Sequence, residues 1–178
     1  MKHLYHGSNM GFDAIDLGKC HRFKDFGQGI YLTELEQQAQ EWATRVVERN
    51  GVGVPTVLVF ELDERKLADV STLIFDTPCA DWAHFVINNR NRKWHDDDDP
   101  LSNHDAKYDV VEGPVANDDI ATTFALFVRG ILDDGQLIQQ LAYKKLNHQI
   151  SFHTERALTL LCKVDCYELD RGTARKKP

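Results

Sequence analysis

The sequence has little of what marks secreted, membrane-bound or disulfide-stapled proteins. Its four cysteines, Cys20, Cys79, Cys162 and Cys166, form no Cys-x-x-Cys pair. That usage predicts reduced thiols and excludes a disulfide framework. Cys162 and Cys166 are close enough in the chain to share a metal, but the spacing is not that of a tetrahedral site, so they read as core or half-buried thiols and no metal is expected. No window approaches eighteen apolar residues, so no span and no membrane partner is expected. The opening "MKHLYHGSNMGF" has no apolar h-region and no cleavage signature. A cytoplasmic location is therefore expected, with delivery as a non-classically secreted effector still compatible. Positive charge is in the minority, 21 Lys and Arg against 28 Asp and Glu, for a net charge of -7. Such a chain is no general polyanion binder; a nucleic-acid role would need a local basic patch. The P-loop GKS/GKT, HExxH and GxSxG signatures are all absent.

What is present is ordinary for a globular protein: 42% apolar and 28% charged residues over 178 positions. That is enough for one domain spanning residues 1–178, with a basic tail at 170–178 expected to be loose. No internal repeat occurs.

Strand signals fall at "HLYH" (3–6), "GIYL" (29–32), "TVLVFEL" (56–62, read as central), "YDVVEG" (108–113), "QISF" (149–152) and "CKVDCYEL" (162–169). Helical periodicity follows Thr33-x-x-Glu36, read as a capping box, with Leu35, Ala39, Trp42 and Val46 on one face. It recurs over 80–90 with Trp82, Phe85 and Val86, and over 118–132 with Ile120, Phe124, Phe127 and Ile131. Two further segments are 135–146 with Leu137, Leu141 and Lys145, and the short "TERALTLL" at 154–161. Residues 89–106 are polar and charged and read as an exposed insertion. Strands and helices alternate without a clean βαβ rhythm, and the first two strands are joined by an irregular loop. The expected class is α+β with antiparallel or mixed pairing.

Two short motifs stand out. His6-Gly7-Ser8 ends the first strand, where a glycine lets a ligand approach the backbone. Gly27-Gln28-Gly29 precedes the second strand. It is not a dinucleotide fingerprint, because position 32 is leucine and the pair comes before its strand instead of after it.

Together, "YHGS" and "FGQGIYLT" resemble the ADP-ribosyltransferases of the diphtheria-toxin and poly(ADP-ribose) polymerase type, in residue type, order and spacing over residues 4–43. "YDVVEGPVAND" and "LNHQISFHTERAL" are similar to a bacterial branch of that superfamily; residues 63–106 match nothing in it. The resemblance implies split mixed/antiparallel β-sheets flanked by helices, with NAD as co-substrate. It implies that His6 holds a ribose hydroxyl, that the Gly7 backbone clamps the nicotinamide carboxamide, and that Tyr31 packs on the nicotinamide ring. Trp42 falls where relatives carry a second stacking tyrosine, and Ala39 replaces a carboxamide-binding serine. Gln149 is the third catalytic residue it implies, with Glu155 as the alternative. Ser8 and Gly29 are expected to line the cofactor site; the connecting loop holds Lys19, His21, Arg22 and Lys24, and an Arg or Lys there, Arg22 in the expected set, would meet the pyrophosphate, the alternative being a solvated loop. A glutamine in the third position brings no charge, which implies single ADP-ribose units.

The expected activity is then mono-ADP-ribosylation of an acceptor, protein more than nucleic acid. A role as toxin, effector or phage-defence enzyme, with an antitoxin or regulatory partner, fits that expectation. The alternatives are an NAD- or nucleotide-binding module of the same fold without turnover, and a transferase acting on nucleic acid through the basic run "NRNRKWH" at 89–95.

Overall fold

The computed structural model describes residues 1–93, 101–116, 118–142 and 146–170. The fold is mixed α and β, built on two sheets. In the first sheet, β3 (Thr56–Leu62) lies between β1 (Lys2–Ser8) and β7 (Leu161–Glu168), antiparallel to both. β3 is central because six of its seven residues are buried, which only a strand covered on both faces allows. The second sheet runs β2 (Ile30–Leu32), β6 (His148–Phe152), β5 (Val110–Pro114), β4 (Thr72–Ile74). Its β4–β5 pair is parallel and its other pairs antiparallel.

Alternation along the strands sets the layers. Leu4, Leu58, Phe60 and Leu62 of the first sheet meet Ile30, Leu32, Val110, Ile150 and Phe152 of the second in one apolar cluster. The opposite face of the second sheet carries Val111 and Tyr31. It packs with Phe26, Phe75, Trp82, Phe85, Ile120, Phe124, Leu137 and Leu141 in a second cluster. The helices α2 (Ala80–Arg90), α3 (Asp118–Val128) and α4 (Asp134–Leu141) supply much of it. Trp82 is fully buried and satisfies its indole N–H on the Pro114 carbonyl at 3.1 Å. Truncating such an anchor costs about 3–5 kcal/mol. The remaining helices are α1 (Glu36–Asn50), which packs on β1, and the one-turn α5 (Glu155–Leu158). No described helix is long and apolar enough to cross a membrane.

Several local expectations are corrected. Thr33 does not cap α1: Leu35 is the N-cap residue, and the Thr33 hydroxyl accepts from the Leu35 N–H and donates to Gln38. The buried stripe of α1 is Ala39 and Ala43, while Leu35 and Trp42 are 50% and 40% exposed. The helix must lie close to the β1 backbone, so small residues face it and large ones flank it. Ile131 lies beyond the end of α3 and is exposed, because the chain turns at Gly130 (φ 72°). α4 stops at Leu141, and Lys145 lies outside the described residues. Residues 89–106 are not wholly an exposed insertion. Asn89, Ser102 and Asn103 are buried, with Asn89 Oδ1 accepting from the Asn103 N–H at 2.8 Å. β4 was not foreseen; three residues give too short a window for alternation to register. Cys162 and Cys166, on edge strand β7, are exposed instead of core thiols.

Candidate functional site

The site forms where the two sheets touch and part. Tyr5 of β1 exchanges both backbone hydrogen bonds with Thr33, at 2.8 and 3.0 Å. Strand groups repeat with period two, so Gly7 points its N–H and C=O the same way as Tyr5, away from β3 and past the point where β1 leaves β2. Gly7 itself is buried. On its side-chain face Gly7 has no room at all. A Cβ there would sit 2.1 Å from the Ala39 carbonyl oxygen and 2.8 Å from the Ala43 nitrogen. Ala39 therefore contributes its backbone and small size to the helix–strand contact.

His6 is half-buried beside Phe12, and its Nδ1 lies 2.8 Å from the Tyr31 carbonyl oxygen. A carbonyl only accepts, so Nδ1 carries the proton and donates. Burial lowers the pKa of the ring, against the raising effect of that hydrogen bond. The neutral tautomer leaves Nε2 as an acceptor, able to take a hydrogen bond from a hydroxyl.

Tyr31 packs its ring against Phe26, stacked at 6.2 Å. Its hydroxyl donates to the Gly27 carbonyl at 2.6 Å and accepts from the Phe26 N–H at 2.9 Å. Burial holds the phenol well above its ordinary pKa, so the group stays neutral. Gly27 has φ +95°, the left-handed turn that brings residues 26–27 back over the ring. Gly29 is needed for a different reason: a Cβ would lie 2.5 Å from the Phe152 carbonyl oxygen and 2.7 Å from His153 Nδ1. These glycines fit the chain into tight contacts and do not loosen it.

Between Tyr31 and Trp42 lies a cation. Lys24 Nζ is 5.5 Å from the Tyr31 ring centroid and 5.2 Å from that of Trp42. The Arg49 guanidinium lies 5.8 Å from the Trp42 ring. Each such contact is worth about 0.5–2 kcal/mol, depending on desolvation.

Gln149 lies on β6 opposite Gly113, on the same sheet face as Tyr31. Its Nε2 donates to Asp25 Oδ2 at 3.3 Å. Asp25 is buried; its Oδ1 accepts from Arg90 Nε at 3.0 Å and Nη2 at 2.7 Å, and its Oδ2 from the Ala116 N–H at 3.1 Å. His6, Tyr31, Trp42 and Gln149 thus converge on the segment 24–31. A cavity of about 300 Å³ opens beside Gln149, where β2 and β6 part beyond Leu32 and Ile150. Thr33, Glu34, Glu112 and His148 are among its lining residues, and Gln149 is the one residue it shares with the predicted set.

A family model described as "Protein of unknown function (DUF3990)" matches residues 2–162. The chain belongs to the DUF3990 family. No curated protein and no solved structure matches it. The matched span contains every site residue named above.

Other predicted residues of this DUF3990 chain lie apart from the slot. Ser8 accepts from the Met10 N–H at 3.3 Å and closes a turn. Arg22 and His21 are exposed, and Lys19 pairs with Asp16 at 3.3 Å. Lys24 is the loop cation that faces the aromatic rings. Glu155 is exposed as the first residue of α5, so Gln149 and not Glu155 is tied to the segment 24–31. In the run at 89–95, Arg90 is bound to Asp25, Arg92 and Lys93 are exposed with Arg92 against Phe23 at 5.9 Å, and residues 94 and 95 lie outside the described residues. No described group of three His, Cys, Asp or Glu could hold a metal ion.

Sequence reasoning missed Asp25, Arg90 and His153 in the DUF3990 site. Asp25 and Arg90 are 65 positions apart, so no local pattern links them. His153 stands edge-on to Tyr31 at 6.1 Å. Its Nδ1 lies 2.8 Å from the Gln28 carbonyl and its Nε2 2.8 Å from the Ser151 hydroxyl. Nδ1–H therefore donates to the Gln28 carbonyl, while the single Ser151 hydroxyl proton faces two acceptors, Nε2 and the Val111 carbonyl oxygen at 3.0 Å. Burial lowers the His153 pKa to about 4. A base depressed in the fold contributes stability above its unfolded pKa and loses it as pH falls. Wild-type stability is expected to drop by about 2 kcal/mol between pH 7 and pH 5 from this group. The His153→Gln protein should lack that share of the drop in urea denaturation. Equal pH slopes would refute the assignment.

Proposed function

We propose that the chain is an NAD-dependent mono-ADP-ribosyltransferase. The observation that carries this reading is the slot between Tyr31 and Trp42, which holds a cation, with Trp42 on the helix that packs against Gly7. A nicotinamide ring bound as pyridinium is flat and cationic, and its carboxamide can pair with a backbone N–H and C=O. The family resemblance of residues 4–43 points the same way, and so does the neutral His6 with its Nε2 free to accept from a ribose hydroxyl.

The chemistry asks for little acid or base. As the nicotinamide–ribose bond breaks, its electron pair moves to the ring nitrogen, so nicotinamide leaves neutral and the ribose gains oxocarbenium character. An acceptor nucleophile then bonds to that carbon and loses its proton. Catalysis lies in holding NAD in position and excluding water. Gln149 orients a ribose hydroxyl through its Oε1 while Asp25 fixes its amide, and it adds no charge. That favours the transfer of single units.

Incubation of the purified protein with labelled NAD and cell lysate is expected to release nicotinamide and to leave one ADP-ribose per modified site, read by mass spectrometry. Absence of both NAD binding and nicotinamide release with any lysate would refute the reading. The engagement of Gln149 with Asp25 favours a second reading, an NAD-binding module without turnover. It predicts a ligand-induced rise in melting temperature with no nicotinamide formed.

A further inference from the structure

The loop cation is more than a neighbour of the slot. We propose that Lys24 sets the ligand class of the Tyr31–Trp42 slot, by admitting a flat cation only when the same molecule also carries an anionic arm. The dinucleotide part of this inference rests on the transferase reading.

Lys24 Nζ lies within 5.5 Å of both ring centroids, so the free protein fills its own cation site. A second cation cannot enter while the ammonium stays. Asp25, the adjacent carboxylate, is engaged by Arg90 and Gln149 and offers the displaced lysine little compensation. Arg49 also lies against the Trp42 ring, at 5.8 Å, and adds to the positive field. A bare pyridinium must therefore expel one cation and then sit beside it and Arg49. A ligand that joins a cationic ring to a phosphate group gives the displaced ammonium a partner. Lysine suits this task, since its four-carbon stem swings freely while the ammonium keeps its charge.

Binding would be measured by calorimetry with two probes, 1-methylnicotinamide and NAD, on wild type and on the Lys24→Met and Lys24→Arg proteins. Lys24→Met should bind 1-methylnicotinamide about tenfold more tightly, because no internal cation competes for the rings. It should bind NAD about tenfold more weakly, because one charge-assisted contact is lost. Lys24→Arg keeps the charge and should retain the wild-type order of affinities. Affinities that shift in the same direction for both probes, or do not shift, overturn the proposal. So does a Lys24→Met protein that fails to bind 1-methylnicotinamide. If NAD binds with the expected opposite shifts and no nicotinamide is ever released, the slot assignment stands and the transferase reading fails. If nicotinamide is released and Lys24→Met changes neither affinity, the transferase reading stands and this one fails.

Discussion

Gly7→Ala is expected to destabilise the protein by about 3 kcal/mol or more, the upper range for forcing an atom into packed structure. The added methyl would lie 2.1 Å from the Ala39 carbonyl oxygen and 2.8 Å from the Ala43 nitrogen, both of them backbone atoms of α1. No rotamer change relieves such a contact; either the helix moves or β1 does. α1 carries Trp42, so its displacement also opens the slot against Lys24 and Tyr31. Thermal denaturation should show a melting temperature lower by about 6–12 °C for a chain of this size. Calorimetry on whatever fraction stays folded should show weakened NAD binding. A stability loss under about 1 kcal/mol would mean that α1 yields easily, and Gly7 would then be needed for ligand access alone. Gly51→Ala makes a useful comparison: it replaces the glycine that caps the end of α1, where an added Cβ meets nothing within 4 Å, and its cost comes from φ +68° alone.

The parts of this protein that were legible in the sequence are those set by local pattern. β3 reads as central because "TVLVFEL" is apolar without alternation, and Trp82, Phe85 and Val86 read as a helix face that is indeed buried. His6-Gly7 and Tyr31 stand out as two short motifs, and the fold joins them through the contact of His6 Nδ1 with the Tyr31 carbonyl at 2.8 Å. Other features depend on contacts made far along the chain. Gly29 looks like flexibility in the sequence, yet its reason is the backbone at Phe152. Trp42 looks like core in an amphipathic helix, yet it is 40% exposed because Ala39 and Ala43 take the inner stripe. Asp25 is invisible for the same reason. Its partners are Arg90, Ala116 and Gln149, and nothing near "KDFG" announces any of them.

That hidden aspartate also bears on why position 149 is glutamine. Gln149→Glu, the change toward a charged third residue, is expected to destabilise the protein and to leave nicotinamide release no higher than wild type. The Gln149 amide donates to Asp25 Oδ2 at 3.3 Å, so a glutamate in its place would set two carboxylates against each other. Asp25 already uses Arg90 as its counter-ion through Oδ1, at 2.7 and 3.0 Å, and a single guanidinium serves two carboxylates poorly. Like charges in one site raise the pKa of one partner. A carboxyl raised above its unfolded value of about 4.3 carries no penalty in the acid form, and it loses stability as pH rises through the folded-state value. The variant should therefore match wild type near pH 4 and fall about 2 kcal/mol behind it by pH 8, a figure reduced for the partial solvent exposure of position 149. Urea denaturation at the two pH values measures this directly. A deficit that shrinks as pH rises would show that Arg90 accommodates both carboxylates. Gln149→Ala separates the two roles: it leaves Asp25 with Arg90 and the Ala116 N–H, costs about 1 kcal/mol for the lost hydrogen bond, and should still lower nicotinamide release sharply. If Gln149→Glu instead gained activity, Asp25 would have to release Arg90 or accept a proton in the working enzyme. The glutamine would then be a restraint on a site already able to use a carboxylate.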